Sequence, residues 1–270
     1  MIPDTIKINT LNVPCIGFGT YRLTGQVGIK AVEDALQIGY RHIDTAQIYG
    51  NEEEVGDGIK NSGVSRDEIF ITTKVFPPDF RKLLKATEGS LRKLKTDHVD
   101  LLLLHWPDDN ETNRIALEAM NEAIYKGYTK SIGVSNFNFK QLAQAAKIAP
   151  VVCNQVEYHP YISQQLMLTK LKENNMFLTA YSPLAKGKVI NDTVLKELAL
   201  KYNRTISQVV LRWLLQQDDI VVIPKATSKE RIKENFNIFD FSLSDEDMGM
   251  IFKLSADHRI TNPAWAPEWD

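Results

Sequence analysis

The sequence lacks the features of a membrane protein, a disulfide-rich scaffold or a nucleic-acid-binding protein. No apolar run exceeds the four residues of 101–104, and residues 1–10 include an acid, so we expect neither a membrane span nor a signal peptide. The net charge is −2, from 32 basic and 34 acidic residues. The sequence therefore lacks the basic excess that is typical of nucleic-acid-binding proteins. The two cysteines, Cys15 and Cys153, lie in apolar segments. They predict buried thiols in a reducing cytoplasm, and a disulfide between them is the less favoured alternative.

Apolar, strand-like segments alternate with helical patterns along the chain. Eight such segments lie at 15–19, 41–45, 69–75, 99–105, 130–135, 151–158, 177–182 and 220–224. Most are continuous apolar runs, which is typical of strands buried on both faces of a parallel sheet. Amphipathic stripes between them predict helices at 27–38, 52–61, 80–94, 113–125, 140–148, 164–172, 194–202 and 207–216.

This alternation predicts the α/β class and a (β/α)8 TIM barrel, with residues 1–270 forming a single domain. Residues 6–14 predict an N-terminal hairpin that plugs one end, and 184–219 is long enough for a loop and two helices. Extra helices are expected near the C-terminus. A doubly wound open sheet is the alternative, but its glycine-rich turn would need a third glycine after Gly17 and Gly19.

Polar side chains end successive predicted strands. Asp44 ends the second strand and Tyr49 follows in its loop, while Lys74 and His105 end the third and fourth. In such barrels the active site lies at the carboxyl ends of the strands. We expect Lys74 to lower the pKa of the Tyr49 phenol from about 10, with Asp44 holding the lysine in place. His105 would orient a carbonyl oxygen. The set contains no good nucleophile and suits carbonyl reduction with a hydride-donating cofactor.

Each of these residues also has a structural explanation. The alternative for Asp44 and Lys74 is a structural ion pair, and the alternative for His105 and Tyr49 is a role in packing. A metal-dependent barrel hydrolase is disfavoured, because the five histidines form no H-x-H or HExxH pattern, and we expect no metal. His42 and Asp44 alternate along one strand, but further ligands are not evident. Asn51 is the predicted N-cap of the following helix, with the acids 52–54 in its first turn.

Residues 39–56, GYRHIDTAQIYGNEEEVG, resemble the first signature of the aldo-keto reductases. This family consists of (β/α)8 barrels that reduce aldehydes and ketones with NADPH, and the resemblance extends from about residue 4 to the C-terminus. It implies a catalytic tetrad of Asp44, Tyr49, Lys74 and His105, with Tyr49 as the proton donor. It also implies a small-molecule carbonyl substrate, and we expect a monomer. Some relatives are non-catalytic NADP(H)-binding regulatory subunits, but the intact tetrad argues against that alternative.

The resemblance also assigns cofactor contacts. IGVSN places Ser135 and Asn136 on the nicotinamide carboxamide with Gln155, and Tyr181 stacks on the ring. Further contacts are implied for Gly19, Thr20, Ser182, Leu184, Lys225, Ala226, Thr227, Arg231, Glu234 and Asn235. Lys225 and Arg231 suit the 2′-phosphate of NADPH, and Thr227 and Glu230 have capping-box spacing. Ala226 stands where the family usually has Ser or Thr, so we expect NADPH to be preferred with weaker discrimination against NADH.

The substrate is predicted from aromatic residues and the C-terminal tail. The resemblance places Tyr21, Phe76 and Trp106 at the substrate pocket. The tail NPAWAPEWD is short, which predicts an open pocket for small polar carbonyls. Its ending resembles that of bacterial family members that reduce 2-oxoaldehydes such as methylglyoxal or keto sugars such as 2,5-diketo-D-gluconate. The alternative is that the tail only packs against the rim of the barrel.

Overall fold

A computed structural model gives the fold over residues 4–8 and 10–270. An antiparallel hairpin of β1 (Thr5–Ile8) and β2 (Leu11–Pro14) precedes the barrel, as predicted for 6–14. Its apolar side chains Ile6, Ile8 and Val13 are buried and belong to the main hydrophobic core. The hairpin is therefore packed onto the barrel by the same burial that stabilises the strands.

Eight parallel strands follow and form one sheet, in which each strand pairs with the next along the chain. They are β3 (Phe18–Gly19), β4 (His42–Asp44), β5 (Phe70–Val75), β6 (Val99–Leu104), β7 (Thr129–Ser135), β8 (Val151–Glu157), β9 (Phe177–Tyr181) and β10 (Ile220–Val222). Every residue of β5 and β6 is buried, as continuous apolar runs predict for strands covered on both faces. All eight predicted strands are confirmed; seven are shorter than predicted, and β7 begins one residue earlier, at Thr129.

The sheet closes on itself between its first and last strands. Ile16 forms a parallel bridge with Val222, and the Gly17 amide donates to the Val222 carbonyl at 2.8 Å. A Cβ at Gly19 would lie 2.7 Å from the carbonyl oxygen of Ile223, so this approach requires glycine. The predicted first strand, 15–19, is regular only at Phe18–Gly19, because the preceding residues pair with β10 rather than β4. The closed barrel confirms the predicted fold over the doubly wound alternative.

Helices cover the outside of the barrel at all eight predicted positions. They are α1 (Gly25–Ile38), α2 (Glu52–Ser62), α3 (Leu83–Leu94), α4 (Asn110–Tyr125), α5 (Phe139–Ile148), α6 (Gln165–Glu173), α7 (Thr193–Tyr202) and α8 (Ile206–Leu215). The helix predicted from residue 80 starts instead with a tighter 3-10 segment, Pro77–Lys82, since two prolines occupy its first turn. Two further helices, α9 (Lys229–Phe236) and α10 (Asp245–Phe252), are the expected C-terminal additions. None of the helices in residues 4–8 and 10–270 has both the length and the apolar character needed to cross a membrane.

Candidate active site

A buried ion pair lies at the carboxyl ends of β4 and β5. The Lys74 ammonium donates to Asp44 Oδ1 at 2.6 Å and to the Thr45 carbonyl at 2.7 Å. The side chains of Lys74 and Asp44 are 0% and 2% exposed, so this pair is dry. Burial lowers the pKa of Lys74, while the Asp44 charge and hydrogen bond oppose that shift. Gln155, on β8, donates from Nε2 to the other oxygen of Asp44 at 2.8 Å.

The Tyr49 phenol adjoins this pair. Lys74 Nζ donates to the Tyr49 hydroxyl at 3.5 Å and lies 5.1 Å from the centre of its ring. Burial raises the pKa of Tyr49 well above its ordinary value, and the charges of Asp44 and Tyr21 add to that rise. The expected lowering of this pKa by Lys74 is therefore wrong for this structure. Desolvation of the phenolate is the largest contribution to this pKa. The phenol keeps its proton at neutral pH.

His105 stands directly after β6 and faces Tyr49. Its ring centre lies 5.6 Å from that of Tyr49, with the rings edge to face. Burial lowers the pKa of His105 well below 6.5, and the Lys74 charge lowers it further. Its Nδ1 is buried and has no hydrogen-bond partner among residues 4–8 and 10–270. His105 is therefore a neutral imidazole with one N–H to donate.

Four residues predicted to contact the cofactor form one hydrogen-bonded cluster beside His105, three through their side chains and Gln155 through its backbone carbonyl. Asn136 Nδ2 donates to the His105 carbonyl and to Ser135 Oγ, both at 3.0 Å. The Tyr181 hydroxyl donates to Asn136 Oδ1 at 2.8 Å, and Ser135 Oγ donates to the Gln155 carbonyl at 2.8 Å. Asn136 has φ of +63°, a conformation that asparagine tolerates better than most residues. The cluster joins β7, β8 and β9 at the rim that carries the tetrad.

The Asn51 side chain joins two loops near Tyr49, which the N-cap prediction did not include. It does precede α2, and Glu52, Glu53 and Glu54 fill the first turn as predicted. Its side chain, however, makes no capping bond. Asn51 Nδ2 donates to the carbonyls of Thr20 at 2.8 Å and Leu23 at 2.7 Å. Those bonds hold the loop after β3 against the loop that carries Tyr49. Asn51 thus has the predicted N-cap position, but its side chain links two loops and makes no hydrogen bond to the helix.

Gly19 and Thr20, both predicted to contact the cofactor, have clear structural partners. Gly19 donates its amide to the Pro224 carbonyl at 3.1 Å within the closure of the barrel. Thr20 is buried, and both its amide and its hydroxyl donate to the Asp44 carbonyl at 3.0 Å. These bonds fix the backbone of Asp44. The two residues lie next to the tetrad through the strand pairing of Gly19 with Asp44.

A second group of predicted cofactor residues lies on the loop after β10 and on α9. Lys225, Thr227 and Arg231 are exposed, and Ala226 is buried. The predicted capping box is wrong by one residue, because Ser228 rather than Thr227 precedes α9 and accepts from the Arg231 amide at 3.4 Å. Ile223 and Pro224, just upstream, hydrogen-bond to Ala180 and Gly19 in the closed barrel. Two cations thus flank a helix N-terminus, an arrangement suited to phosphate.

The other predicted residues of this group are held by neighbouring helices and loops. Glu234 accepts from Thr205 Oγ1 at 2.8 Å, and Asn235 is buried. Ser182 follows β9 with φ of +50° and begins a loop of left-handed residues. Leu184 is partly buried there and packs against the hydrophobic core, just before the 3-10 segment Ala185–Asn191. Along the chain, β9 and β10 connect these residues to the rim that carries the tetrad.

Aromatic side chains surround the tetrad. Tyr21, half exposed, contacts Tyr49 with ring centres 5.0 Å apart. Phe76 lies 6.0 Å from the His105 ring and 5.7 Å from Trp265. Trp106 is buried, because Trp265 covers it at 4.8 Å between ring centres. The tail therefore packs against the rim and supplies Trp265 to it. Residue patterns do not reveal Trp265 as a site residue, since it lies far from the tetrad in sequence.

The structure gives no support to a metal site. Within residues 4–8 and 10–270, no three His, Cys, Asp or Glu side chains converge so that they could hold a metal ion. His42 Nε2 pairs with Thr72 Oγ1 at 2.9 Å rather than sharing a ligand with Asp44. Burial lowers the pKa of His42 to about 4 against the smaller opposing effect of Asp44, so this ring is a neutral structural group.

Comparisons with known proteins agree with this geometry. The model of the aldo/keto reductase family matches residues 15–256. The chain is 42% identical to glyoxal reductase of Bacillus subtilis, over 96% of this chain and 95% of that protein. It is 38% identical to methylglyoxal reductase DkgB of Escherichia coli, over 96% of this chain and 99% of that protein. The structure of an aldo-keto reductase from Bombyx mori in complex with NADP superposes with a TM-score of 0.89 at 32% identity, covering 96% of this chain and 95% of that one.

Proposed function

This chain belongs to the aldo/keto reductase family, and from that premise we propose that it reduces 2-oxoaldehydes such as methylglyoxal to alcohols with NADPH. The observation that carries the proposal is the dry contact of Lys74 with Asp44 at 2.6 Å and with the Tyr49 hydroxyl at 3.5 Å. A buried ammonium beside a protonated phenol suits delivery of one proton to a developing alkoxide. Tyr49 is the proposed proton donor.

The residues present fit NADPH. Lys225 and Arg231 are exposed cations beside the N-terminus of α9, which suits the 2′-phosphate. Ser135, Asn136 and Gln155 offer hydroxyl and amide groups beside His105, which suits the carboxamide, and Tyr181 would stack on the nicotinamide. Further contacts are proposed for Gly19, Thr20, Ser182, Leu184, Ala226, Thr227, Glu234 and Asn235. When bound, NADPH supplies the hydride.

Each member of the tetrad has a separate proposed task. Tyr49 enters the reaction protonated, since burial raises its pKa, and it gives the proton to the carbonyl oxygen. Lys74 stabilises the phenolate that remains, and Asp44 positions Lys74. His105, kept neutral by burial, donates its N–H to the same carbonyl oxygen and orients it. No step requires a metal or a nucleophilic side chain.

The size of the substrate follows from the rim and from the relatives. Tyr21, Phe76 and Trp106 are the predicted substrate contacts, and Trp265 joins them by its packing on Phe76 and Trp106. Because Trp265 packs against Trp106 and Phe76, we expect it to narrow the pocket that the short tail predicts to be open. The names of the two relatives, glyoxal reductase and methylglyoxal reductase, support a small dicarbonyl. A keto sugar such as 2,5-diketo-D-gluconate remains the second predicted substrate.

The test is steady-state turnover of methylglyoxal, followed by the loss of NADPH absorbance in the presence of a chelator. We expect Tyr49→Phe to lower kcat by about 10²- to 10⁴-fold, the range typical of a lost general acid. Tyr125→Phe is the matched control, because Tyr125 is 92% exposed on α4 and should leave kcat unchanged. Binding of NADPH, measured by quenching of tryptophan fluorescence, should survive in both variants.

Three outcomes would redirect the proposal. Tyr49→Phe with more than about a tenth of the wild-type kcat would remove Tyr49 as the proton donor. NADPH binding without turnover of any carbonyl would favour the regulatory-subunit alternative. Chelator-sensitive activity that needs no NADPH would favour the hydrolase. A single domain over 1–270, a cytoplasmic location and a monomeric state stay predictions, and sedimentation of the purified protein measures the last of them.

A further inference from the structure

Glu157 is a buried carboxylate that the proposed chemistry does not use. It is the last residue of β8 and its side chain is fully buried together with that of His159. Glu157 Oε1 pairs with His159 Nε2 at 2.9 Å. Burial opposes ionisation of Glu157, but His159 and two backbone amides outweigh it and hold the pKa below its ordinary value. Glu157 is therefore an ionised acceptor at neutral pH.

Those two amides belong to the C-terminal tail. Ile260 donates to Glu157 Oε1 at 2.6 Å and Thr261 donates to Oε2 at 2.7 Å. The bonds cross more than one hundred residues of sequence and attach the start of the tail to the rim of the barrel. Hydrogen bonds to an ionised acceptor are roughly twice as strong as neutral ones. Glu157 therefore anchors the N-terminal end of the tail.

The anchored tail then reaches the rim of the active site. Four residues beyond Thr261, Trp265 packs on Trp106 at 4.8 Å and on Phe76 at 5.7 Å. Phe76 in turn lies 6.0 Å from the His105 ring. The far end of the tail is held separately, since the Phe139 amide donates to the Asp270 carboxylate at 2.7 Å. Trp265 therefore lies between two attached parts of the tail, held by Glu157 at residues 260–261 and by Asn138 and Phe139 at residues 268 and 270.

We propose that Glu157 is a positioning residue for substrate selection, which acts by holding the C-terminal tail so that Trp265 covers Phe76 and Trp106. The inference rests on the proposed carbonyl reductase function for its kinetic consequence, though not for the anchoring itself. Its physical basis is that a carboxylate only accepts hydrogen bonds. Glu157→Gln keeps the size but turns one end of the group into a donor that faces a backbone N–H. At least one of the two tail bonds is then lost.

The first test is limited trypsin digestion, which does not depend on turnover. Arg259 is the last basic residue of the sequence, and the bond that follows it is the peptide whose amide donates to Glu157. We expect Glu157→Gln to accelerate release of residues 260–270 by about 10- to 100-fold, because cleavage follows the population of the open tail. Mass spectrometry identifies the fragment.

Asp100→Asn is the matched control. Asp100 is also buried, and it accepts from the Ile71 amide and from the Arg66 and Lys130 side chains. It lies near the start of β6, at the opposite end of the barrel from His105. This variant loses a comparable buried acceptor without touching the tail, so release of 260–270 should match the wild type. Equal release rates in Glu157→Gln and Asp100→Asn would overturn the anchoring role.

The second test compares a small and a bulky substrate. For Glu157→Gln we expect KM for 4-nitrobenzaldehyde to rise about 5-fold, KM for methylglyoxal to change less than about 2-fold, and kcat to stay within about 2-fold. Trp265→Ala should produce the same shift, and the double variant should add nothing to it, since both act through one contact. A merely destabilising substitution such as Asp100→Asn leaves the ratio of KM values unchanged.

The two proposals fail in distinguishable ways. If the wild type turns over no carbonyl, the proposed function fails, while trypsin release still measures the anchor. If the wild type is active and the KM ratio is the same in Glu157→Gln, the selection role of Glu157 is wrong. If the effects of Glu157→Gln and Trp265→Ala add fully, Glu157 acts by some route other than Trp265, and the proposal is equally overturned.

Discussion

Replacing Lys74 with methionine should destabilise the protein strongly, because Asp44 would be left charged in a dry site. Lys74 Nζ donates to Asp44 Oδ1 at 2.6 Å and to the Thr45 carbonyl at 2.7 Å, and methionine supplies neither bond. Asp44, about 1% exposed, would keep only the hydrogen bond from Gln155 Nε2 at 2.8 Å. The volume of the side chain is nearly conserved, so packing contributes little to the change.

The magnitude follows from the cost of an unpaired buried charge. Removing one partner of a buried ion pair typically costs about 3–5 kcal/mol. We therefore expect the free energy of unfolding to fall by that amount. The double variant, with Asp44→Asn added, removes the stranded charge, and its asparagine oxygen still accepts from Gln155. Replacement of both partners by neutral groups is often nearly neutral, so at least about 2 kcal/mol should be recovered.

Urea unfolding of the wild type and the two variants, followed by tryptophan fluorescence and circular dichroism, measures these differences. Coincident transitions by the two probes would justify a two-state free energy. The reasoning is refuted if the single variant loses less than about 1 kcal/mol, or if the double variant is no more stable than the single one. Neither variant should turn over substrate, so stability and activity separate in this pair.

Two further predictions concern the cofactor and acid stability. Ala226→Ser adds a hydroxyl beside Lys225 and should raise the ratio of kcat/KM for NADPH to that for NADH by about 5- to 10-fold. A wild type that uses NADH as well as NADPH would contradict the proposed binding of the 2′-phosphate by Lys225 and Arg231. Burial opposes ionisation of Asp247, but hydrogen bonds from Lys201, Tyr202 and Ser244 lower its pKa from 3.8 to about 2. The stabilisation by ionised Asp247 is therefore present above pH 3.8 and lost as the pH falls toward 2. In Asp247→Asn the free energy of unfolding should depend less on pH in that interval. An unchanged acid transition would exclude Asp247 as its source.

The parts of the structure that depend on local patterns were predictable from the sequence. Strand-like segments, most of them continuous apolar runs, identified all eight strands, and amphipathic stripes identified the helices between them. The convergence of Asp44, Lys74 and His105 also followed, since parallel strands place their carboxyl ends at one rim. The ion pair at 2.6 Å is what that topology leads one to expect from oppositely charged residues on adjacent strands.

The remaining features depend on long-range packing that no local pattern encodes. Burial raises the pKa of Tyr49, whereas the lysine that follows in the sequence predicts a lower pKa. Asn51 is of a residue type that favours the N-cap and occupies that position, yet its side-chain amide donates to two carbonyls of the loop after β3. Trp265 reaches the rim through the tail, which Glu157 at the end of β8 binds from more than one hundred residues away in sequence. Thr227 and Ser228 are both residue types that favour a helix N-cap, and the structure has Ser228 at that position.

The bridge between Ile16 and Val222 also determines when this protein can finish folding. The two residues are about 200 positions apart, so the loop they close is among the longest in the chain. During synthesis at about 5–20 residues per second, the N-terminal strand waits roughly 10–40 s for its last neighbour. Throughout that interval the growing sheet has two unpaired edges, which are sites for aggregation. The sheet therefore stays exposed to edge-to-edge aggregation until Val222 pairs with Ile16.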